Sequence, residues 1–167
     1  MSNELLRRLR AGEVSQEVDL ESDLTKAWGG YVTMVRNEVC TPKILVITDE
    51  LSVQSHSNRE ELWYLVSGKL AVYRGPVSED PVKTIAGLDE KILMPGDLVK
   101  IPKNTAHTAL NLYPQPSLIM EVALGHAEEE DIRRYYDMHG RVSLEGFTEG
   151  ISIRDLITQC RKYLKSS

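Results

Sequence analysis

The sequence predicts an all-β domain in the central part of the chain, built as an antiparallel sandwich or barrel. From Trp28 onward, β-branched and aromatic residues gather in short runs, most of them four to seven residues long. Turn signals such as Ser67-Gly68 and Arg74-Gly75-Pro76 separate the runs, whereas a parallel sheet would need helices between its strands. The predicted strands are Tyr31–Arg36, Lys43–Ile47, Leu62–Val66, Lys69–Tyr73, Leu98–Ile101, Thr108–Leu112 and Leu118–Leu124.

Both ends of the chain are predicted to add helices to these strands. Residues 2–11 place three leucines on one face and are followed by Gly12, as in a short helix. Asp19–Lys26 is acidic and weakly patterned, so we expect a connecting arm. Glu128–Tyr136 begins with four acids and carries two arginines further along, an order that suits a helix dipole. The final predicted helix, Ile153–Lys165, has an apolar stripe that should dock on the barrel or on a second subunit.

Length and composition exclude several classes of protein. The 167 residues suit a single domain, residues 1–167, with a barrel core at about 27–125. A net charge of −5 disfavours a nucleic-acid binder. No apolar run reaches the roughly 18–20 residues of a membrane span, and the first twelve residues lack a secretory pattern, so we expect a cytoplasmic protein. Cys40 and Cys160 lie far apart and predict neither a disulfide framework nor a thiolate zinc site.

A cluster of polar residues between two predicted strands is the most informative part of the sequence. Gln54 and His56 are two residues apart, so on a strand they project from the same face. Glu61 and Trp63 share a face of the returning strand, after a turn at residues 58–59. A hairpin of this kind brings Gln54, His56 and Glu61 together on the inside of a sheet.

A second histidine follows at a distance. His107 comes 46 residues after Glu61, behind the turn-rich segment 96–106. One carboxylate, two imidazoles and one amide oxygen would form a mixed nitrogen and oxygen site with room for water or substrate. Such a donor set suits Zn, Mn, Fe, Co or Ni better than a closed structural zinc site.

The spacing of these residues resembles the two halves of the cupin signature. The first half, (H/Q)xH(x)4E(x)6G, matches Gln54, His56, Glu61 and Gly68. The second half, G(x)5PxG(x)2H(x)3N, matches Gly96, Pro102, Asn104 in the glycine place, His107 and Asn111. Asn is the usual substitute where a turn needs a left-handed backbone. The resemblance implies a cupin-type double-stranded antiparallel β-helix, a jelly-roll barrel, with short N- and C-terminal helices.

Within the cupins, the chain resembles the type II phosphomannose isomerase domain over residues 27 to about 141. The motifs that carry this resemblance are Trp28-Gly29-Gly30-Tyr31, the hairpin Ser52, Gln54, His56, Arg59, Glu61, Trp63 and Ser67-Gly68, then Ile101-Pro102, His107, Glu121-Val122, Glu130-Asp131-Ile132 and Gly140-Arg141. The resemblance implies one divalent metal ion held by Gln54, His56, Glu61 and His107. It also implies that Arg59 and Arg141 face the mouth of the site, where their guanidinium groups suit a sugar phosphate.

The expected activity is a metal-dependent aldose–ketose isomerisation of a sugar phosphate, from mannose 6-phosphate to fructose 6-phosphate. Glu121 is the candidate for moving the proton, although a strand residue paired with Arg59 or Lys69 is an equal interpretation. Arg141 is assigned to catalysis with it. The expected substrate-binding residues are Arg59, Lys103 and Trp63, and Lys103 has a solvated surface residue as its other interpretation.

Some features depart from the family pattern and leave alternatives open. The family's consecutive histidines are replaced after His56 by Ser57-Asn58, and the usual tyrosine before Gly140-Arg141 is His139. The loop Pro76–Pro95 is long enough to cover or reshape the opening. No glycine-rich nucleotide loop of the family's guanylyltransferase half occurs in the 167 residues, so we expect a stand-alone cupin.

Two further functions remain possible on this sequence. One is another metal-cupin enzyme, either an isomerase of an unphosphorylated sugar or a dioxygenase, and Gln54 argues against the latter. The other is a non-catalytic module that binds a sugar or sugar nucleotide. The expected partners are a small sugar phosphate and a second copy of the chain in a homodimer, with the terminal helices as possible interface elements and with neither nucleic acid nor membrane.

Overall fold

Two facing antiparallel sheets form the protein in the computed structural model, which describes residues 21–35, 39–125 and 129–166. In the six-stranded sheet the strands lie in the order β1 (Glu21–Lys26), β2 (Gly29–Thr33), β3 (Cys40–Ile47), β10 (Ser117–Gly125), β5 (Arg59–Ser67) and β8 (Leu98–Ile101). In the five-stranded sheet the order is β11 (Ile132–Tyr136), β4 (Val53–His56), β9 (Thr105–Asn111), β6 (Leu70–Pro76) and β7 (Asp89–Leu93). The architecture is that of a jelly roll with unclosed sheets, and the predicted all-β class is confirmed.

Alternation along the strands decides which side chains enter the space between the sheets. In β5 the residues Arg59, Glu61 and Trp63 are buried, while Tyr64 and Val66 point outward and are exposed. Leucine, isoleucine and valine from both sheets fill one end of this space, and Trp63 lies at the boundary between that apolar core and the polar residues. The strands thereby place a group of polar side chains directly beside the apolar core.

The outer face of the five-stranded sheet is covered by two helices, α1 (Pro81–Ala86) and α2 (Ile153–Ser166). Ile153, Leu156 and Cys160 of α2 are fully buried there. The predicted final helix is confirmed, and its apolar stripe docks on the sheet of its own chain. Cys160 is a packing residue, and burial raises the pKa of its thiol to about 11.

The prediction of a helix over residues 128–136 is wrong. Ile132–Tyr136 is strand β11, preceded by a single 3-10 turn at Glu129–Asp131. The acidic start has another use, because the Asp131 carboxylate accepts hydrogen bonds from the backbone N–H groups of Ser57 and Asn58. Asp131 therefore stabilises the turn between β4 and β5. Residues 132–136 pair with β4 as a strand and do not form a helix.

Two expectations about connecting segments are also wrong. The expected arm over Asp19–Lys26 contains the edge strand β1, Glu21–Lys26, whose mostly exposed residues show no apolar alternation. The segment Pro76–Pro95 forms α1 and β7 and packs on the helical side, so that none of its residues lines the cavity that contains Glu61. It therefore does not cover the opening.

Three further expectations concern the backbone of Asn104, the N-terminal helix and the lack of a membrane span. Asn104 has φ = +55°, as its place in a glycine position predicts. The helix predicted at residues 2–11 lies outside the described residues. Within the described ranges, no helix is long and apolar enough to cross a membrane.

Candidate metal centre

Three side chains that could hold a metal ion meet between the two sheets. His56 ends β4, Glu61 lies in β5 and His107 lies in β9, and all three are buried. Nε2 of His56 lies 3.1 Å from Oε1 of Glu61, and Nε2 of His107 lies 3.4 Å from Oε2 of the same carboxylate. One ligand atom from each residue falls within 4.8 Å of the others, which is a spacing that one ion can bridge.

The backbone fixes which nitrogen of His107 carries the proton. Nδ1 of His107 lies 3.0 Å from the carbonyl oxygen of Thr105, and a carbonyl can only accept. Nδ1 must therefore donate, which leaves Nε2 of the neutral ring without a proton. That nitrogen is buried and has no hydrogen-bond partner among the described residues. A bare nitrogen facing a carboxylate oxygen favours a cation between them.

His56 is held differently, because its buried Nδ1 has no hydrogen-bond partner among the described residues, whereas its Nε2 faces two side chains. Nη2 of Arg59, which can only donate, lies 3.2 Å from Nε2 of His56, and Oε1 of the Glu61 carboxylate, which accepts, lies 3.1 Å from the same nitrogen. Burial lowers the pKa of His56, which keeps the ring neutral. Burial alone would raise the pKa of Glu61, but His107 and His56 beside it outweigh burial and hold that pKa well below its usual range. The centre is therefore a buried carboxylate that lies between two imidazole rings.

Gln54 enters the same cavity from β4. It pairs with His107 across β4 and β9, so that the two side chains share one face of the sheet. Its Oε1 accepts a hydrogen bond from the Ser52 hydroxyl at 3.1 Å. Gln54 thus lines the same cavity as Glu61, and its role as a fourth ligand through the amide oxygen stays a prediction.

Arg59 lies deeper than the mouth position expected for it. Its side chain is only 5% exposed, and Nε donates to Oε1 of Glu61 at 3.0 Å. Nη1 lies 3.8 Å from the Asp131 carboxylate. Arg59 therefore orients Glu61 and His56 through these buried contacts. Its contact with a substrate stays a prediction.

Trp63 joins the candidate ligands to a second carboxylate. Its indole N–H lies 3.1 Å from Oε2 of Glu61 and 3.1 Å from Oε2 of Glu121. Trp63 and Glu121 are paired across β5 and β10, which sets this contact. Burial, and then repulsion from the charged Glu61, raises the pKa of Glu121 to about 7. Glu61, whose pKa is lowered, and Glu121, whose pKa is raised, thus share the indole N–H of Trp63 as a hydrogen-bond donor.

The centre opens into a cavity of about 480 Å³. Arg141 lines it and forms an ion pair with the buried carboxylate of Asp137. Lys103 is exposed on the turn before β9 and does not line the cavity, so the structure does not bring it to the site. The cavity residues are Glu21, Lys26, Trp28, Tyr31, Lys43, Leu45, Leu51, Ser52, Gln54, Arg59, Glu61, Trp63, Glu121, Glu130, Ile132, Arg134 and Arg141.

Sequence reasoning missed three cations that line this cavity, of which Lys26 belongs to β1 and pairs with Asp23. Lys43 points inward from β3, in the row of Leu45 and Ile47, and the alternation of that strand could have revealed it. Arg134 lies opposite Gln54 across β11 and β4. It was missed because its segment was predicted to be a helix and not a strand that pairs with β4.

Residues 13–137 match the protein family described as mannose-6-phosphate isomerase C-terminal. Mannose-1-phosphate guanylyltransferase ManC of Salmonella typhimurium is 30% identical over 129 residues, which are 75% of this chain and 24% of that protein. The mannose-1-phosphate guanylyltransferase of Escherichia coli is 30% identical over 123 residues, 72% of this chain and 23% of that protein. The chain thus spans about a quarter of the length of these curated relatives.

Solved structures share the fold at low sequence identity. The capsular polysaccharide assembling protein CapF of Staphylococcus aureus aligns with a TM-score of 0.59 and 14% identity, over 71% of this chain and 34% of that one. The oxalate decarboxylase of Lactobacillus farciminis aligns with a TM-score of 0.56 and 17% identity, over 70% and 33%. At these identities the likeness shows the cupin-type jelly-roll fold alone.

Proposed function

This chain belongs to the mannose-6-phosphate isomerase C-terminal family, and we propose that it is a metal-dependent aldose–ketose isomerase of a sugar phosphate. The proposed reaction interconverts mannose 6-phosphate and fructose 6-phosphate. The observation that carries the proposal is a cluster of three candidate ligands beside a cavity that is lined by one of them, Glu61, by the separate buried carboxyl group of Glu121 and by Arg141. Such a reaction needs a group to polarise the sugar oxygens, a group to move a proton and a cation for the phosphate.

The donor set fits a divalent metal ion such as Zn, Mn, Co, Fe or Ni. Nε2 of His56 and Nε2 of His107 lie 3.1 Å and 3.4 Å from the Glu61 carboxylate, and Gln54 can add an amide oxygen. When bound, such an ion supplies Lewis-acid polarisation of the carbonyl and hydroxyl oxygens of the sugar. Arg59 keeps Glu61 and His56 oriented through its two contacts.

Glu121 is the group proposed to move the proton between C2 and C1 of the sugar. Its Oε2 is held by the indole N–H of Trp63, so the exchange takes place at Oε1. A pKa of about 7 lets one carboxyl group accept and return a proton near neutral pH. Because Trp63 also holds Glu61, the distance between the proton carrier and the candidate ligands is fixed.

The phosphate is proposed to bind to cationic residues of the cavity lining. Lys43, Arg134 and Arg141 line that cavity together with the acidic residues described above. A guanidinium group offers two parallel donors to a phosphate. The ion pair with Asp137 fixes the Arg141 side chain, which lowers the entropy lost when a substrate binds.

The assay that tests this proposal follows mannose 6-phosphate by NMR, with the protein loaded in turn with Mn, Zn or Co. We expect fructose 6-phosphate to form, and free mannose in the same tube to react far more slowly. Protein with a proven bound ion that turns over neither sugar would contradict the proposal. Ligand-induced thermal stabilisation that is equal with and without metal would then favour a non-catalytic sugar-binding protein.

A further inference from the structure

Asp131 lies directly behind the turn that joins two candidate ligands. This turn, between β4 and β5, separates His56, the last residue of β4, from Glu61 in β5. Oδ1 of Asp131 lies 2.9 Å from the backbone nitrogen of Ser57, 2.6 Å from its hydroxyl and 3.0 Å from the backbone nitrogen of Asn58. All three groups donate to the carboxylate. One side chain therefore holds both residues of the turn between the two candidate ligands.

The same carboxylate also faces Arg59. Oδ2 of Asp131 lies 3.8 Å from Nη1 of Arg59, and the two side chains are buried, with 2% and 5% of their surface exposed. The remaining nitrogens of this guanidinium group face the candidate ligands, with Nε 3.0 Å from Oε1 of Glu61 and Nη2 3.2 Å from Nε2 of His56. Asp131 is therefore linked to the candidate ligands a second time, through the side chain of Arg59.

The backbone of His56 is held by the strand that follows Asp131. The carbonyl oxygen of His56 accepts the N–H of Asn104 at 2.7 Å, and His56 pairs with Ile132, the first residue of β11. Asp131 immediately precedes Ile132, so the pairing that holds His56 also brings the Asp131 carboxylate to the turn. One strand thus sets the positions of both residues.

Asp131 keeps its charge in this buried place. Burial alone would raise the pKa of Asp131, but the hydrogen bonds from the turn and the charge of Arg59 outweigh burial and lower that pKa. An ion bound between Nε2 of His56 and the Glu61 carboxylate would exclude the Nη2 donor from that nitrogen, since one lone pair serves one partner. The Asp131 carboxylate is an anion that stays available to Arg59 beside such an ion, where two cations would otherwise repel each other.

Given the metal site of the proposed function, we propose that Asp131 is a positioning residue that sets the distance between His56 and Glu61. It acts through the turn and through Arg59, and it does not bind the ion itself. Both oxygens of Asp131 accept hydrogen bonds from the turn, which fits a supporting group and not a ligand. Groups that hydrogen-bond behind metal ligands orient those ligands, and their loss typically lowers metal affinity about 10- to 100-fold.

Titration of the full-length chain with Co²⁺ tests this role, with Kd and the visible absorption of the bound ion as readouts. That absorption depends on the number and geometry of the ligands, which a loss of stability alone does not alter. Asp131→Asn removes the negative charge and replaces one oxygen with an NH₂ group that cannot accept. We expect Kd to rise about 10- to 100-fold and the absorption bands to shift. Ser57→Ala, on the exposed side of the turn, does not depend on the folding of Asp131→Asn and should raise Kd by a smaller factor.

The matched control is Asp97→Asn, because the Asp97 carboxylate also accepts a backbone N–H in a turn, that of Met94 at 2.8 Å, but does not line the cavity of the candidate centre. It should keep the wild-type Kd and bands, and the unfolding midpoint of every variant reports its folding. Wild-type Kd and bands in Ser57→Ala, and in Asp131→Asn where it folds, overturn the positioning role and leave the metal centre standing. An equal rise of Kd in Asp97→Asn also overturns that role. A wild-type chain that binds no Co²⁺ overturns the metal centre together with it.

Discussion

Nε2 of His107 lies 3.4 Å from Oε2 of Glu61, and in the neutral ring the hydrogen bond from Nδ1 to the Thr105 carbonyl leaves Nε2 as an acceptor. Both residues are no more than 1% exposed. Two hydrogen-bond acceptors that face each other in a buried place cost free energy unless a cation lies between them. This relationship is the physical basis of the proposed metal centre and of the predictions below.

Replacing the proposed proton carrier should abolish isomerisation without emptying the site. Glu121→Gln keeps the hydrogen bond to Trp63 but cannot accept a proton, so kcat for mannose 6-phosphate should fall by about 10²- to 10⁴-fold. Metal content, measured by elemental analysis, should stay unchanged. The control is Glu130→Gln, an exposed residue that lines the same cavity. Equal loss of activity in both variants would remove the special role of Glu121.

Phosphate recognition should depend on Arg141. Arg141→Lys keeps a positive charge near the buried Asp137 but loses the two-donor geometry of the guanidinium group. We expect KM for mannose 6-phosphate to rise about 10-fold, since a lost charged hydrogen bond costs about 1.5–3 kcal/mol, while kcat changes less. Lys91→Gln, an exposed residue of β7, is the control. An unchanged KM in Arg141→Lys would place the phosphate elsewhere.

Stability should depend on pH through Glu50, a buried carboxyl group between β3 and β4 that contacts the first residue of α2. Its Oε2 accepts the N–H of Ile153 at 2.9 Å, and its Oε1 has no partner among the described residues. Burial, with smaller contributions from Asp49, Asp137 and Asp155, raises its pKa from 4.5 to about 7. The folded chain therefore binds this proton more tightly than the unfolded chain. Its contribution to stability is fully present below pH 4.5 and is lost as the pH rises through about 7.

Glu50→Gln removes this dependence, because the amide stays neutral and can still accept the N–H of Ile153. Relative to wild type, its free energy of unfolding should rise between pH 4.5 and pH 8 by an amount on the order of 3 kcal/mol. Urea unfolding at the two pH values measures the change, and exposed Glu149→Gln is the control. A difference between Glu50→Gln and wild type that is the same at both pH values would contradict the assignment.

Local patterns predicted much of the fold and of the candidate centre. Strand alternation placed Gln54 with His56, and Glu61 with Trp63, on shared faces, and in the structure Gln54, Glu61 and Trp63 line one cavity, with His56 in contact with Glu61. Asn104 was expected in a left-handed backbone and has one. These features depend on neighbours within a few residues, which a sequence displays directly.

The features that the sequence did not predict depend on distant partners. Acids at the start of residues 128–136 suited a helix dipole, but Asp131 instead caps the β4–β5 turn more than 70 residues away. With that segment predicted as a helix, Arg134 could not be placed opposite Gln54. The double contact of the Trp63 indole with Glu61 and Glu121 depends on the pairing of β5 with β10, which no spacing in the sequence specifies.

Elemental analysis of the purified full-length chain tests the proposed metal centre most directly. The wild-type chain should carry about one divalent ion. His107→Ala should lose at least ~10-fold in metal affinity, because it removes a ligand whose ring is already oriented by the bond to Thr105. Thr105 supplies only its backbone carbonyl to this arrangement, so Thr105→Ala should keep the ion and serves as the matched control. Metal that persists undiminished in His107→Ala would contradict the centre described by His56, Glu61 and His107.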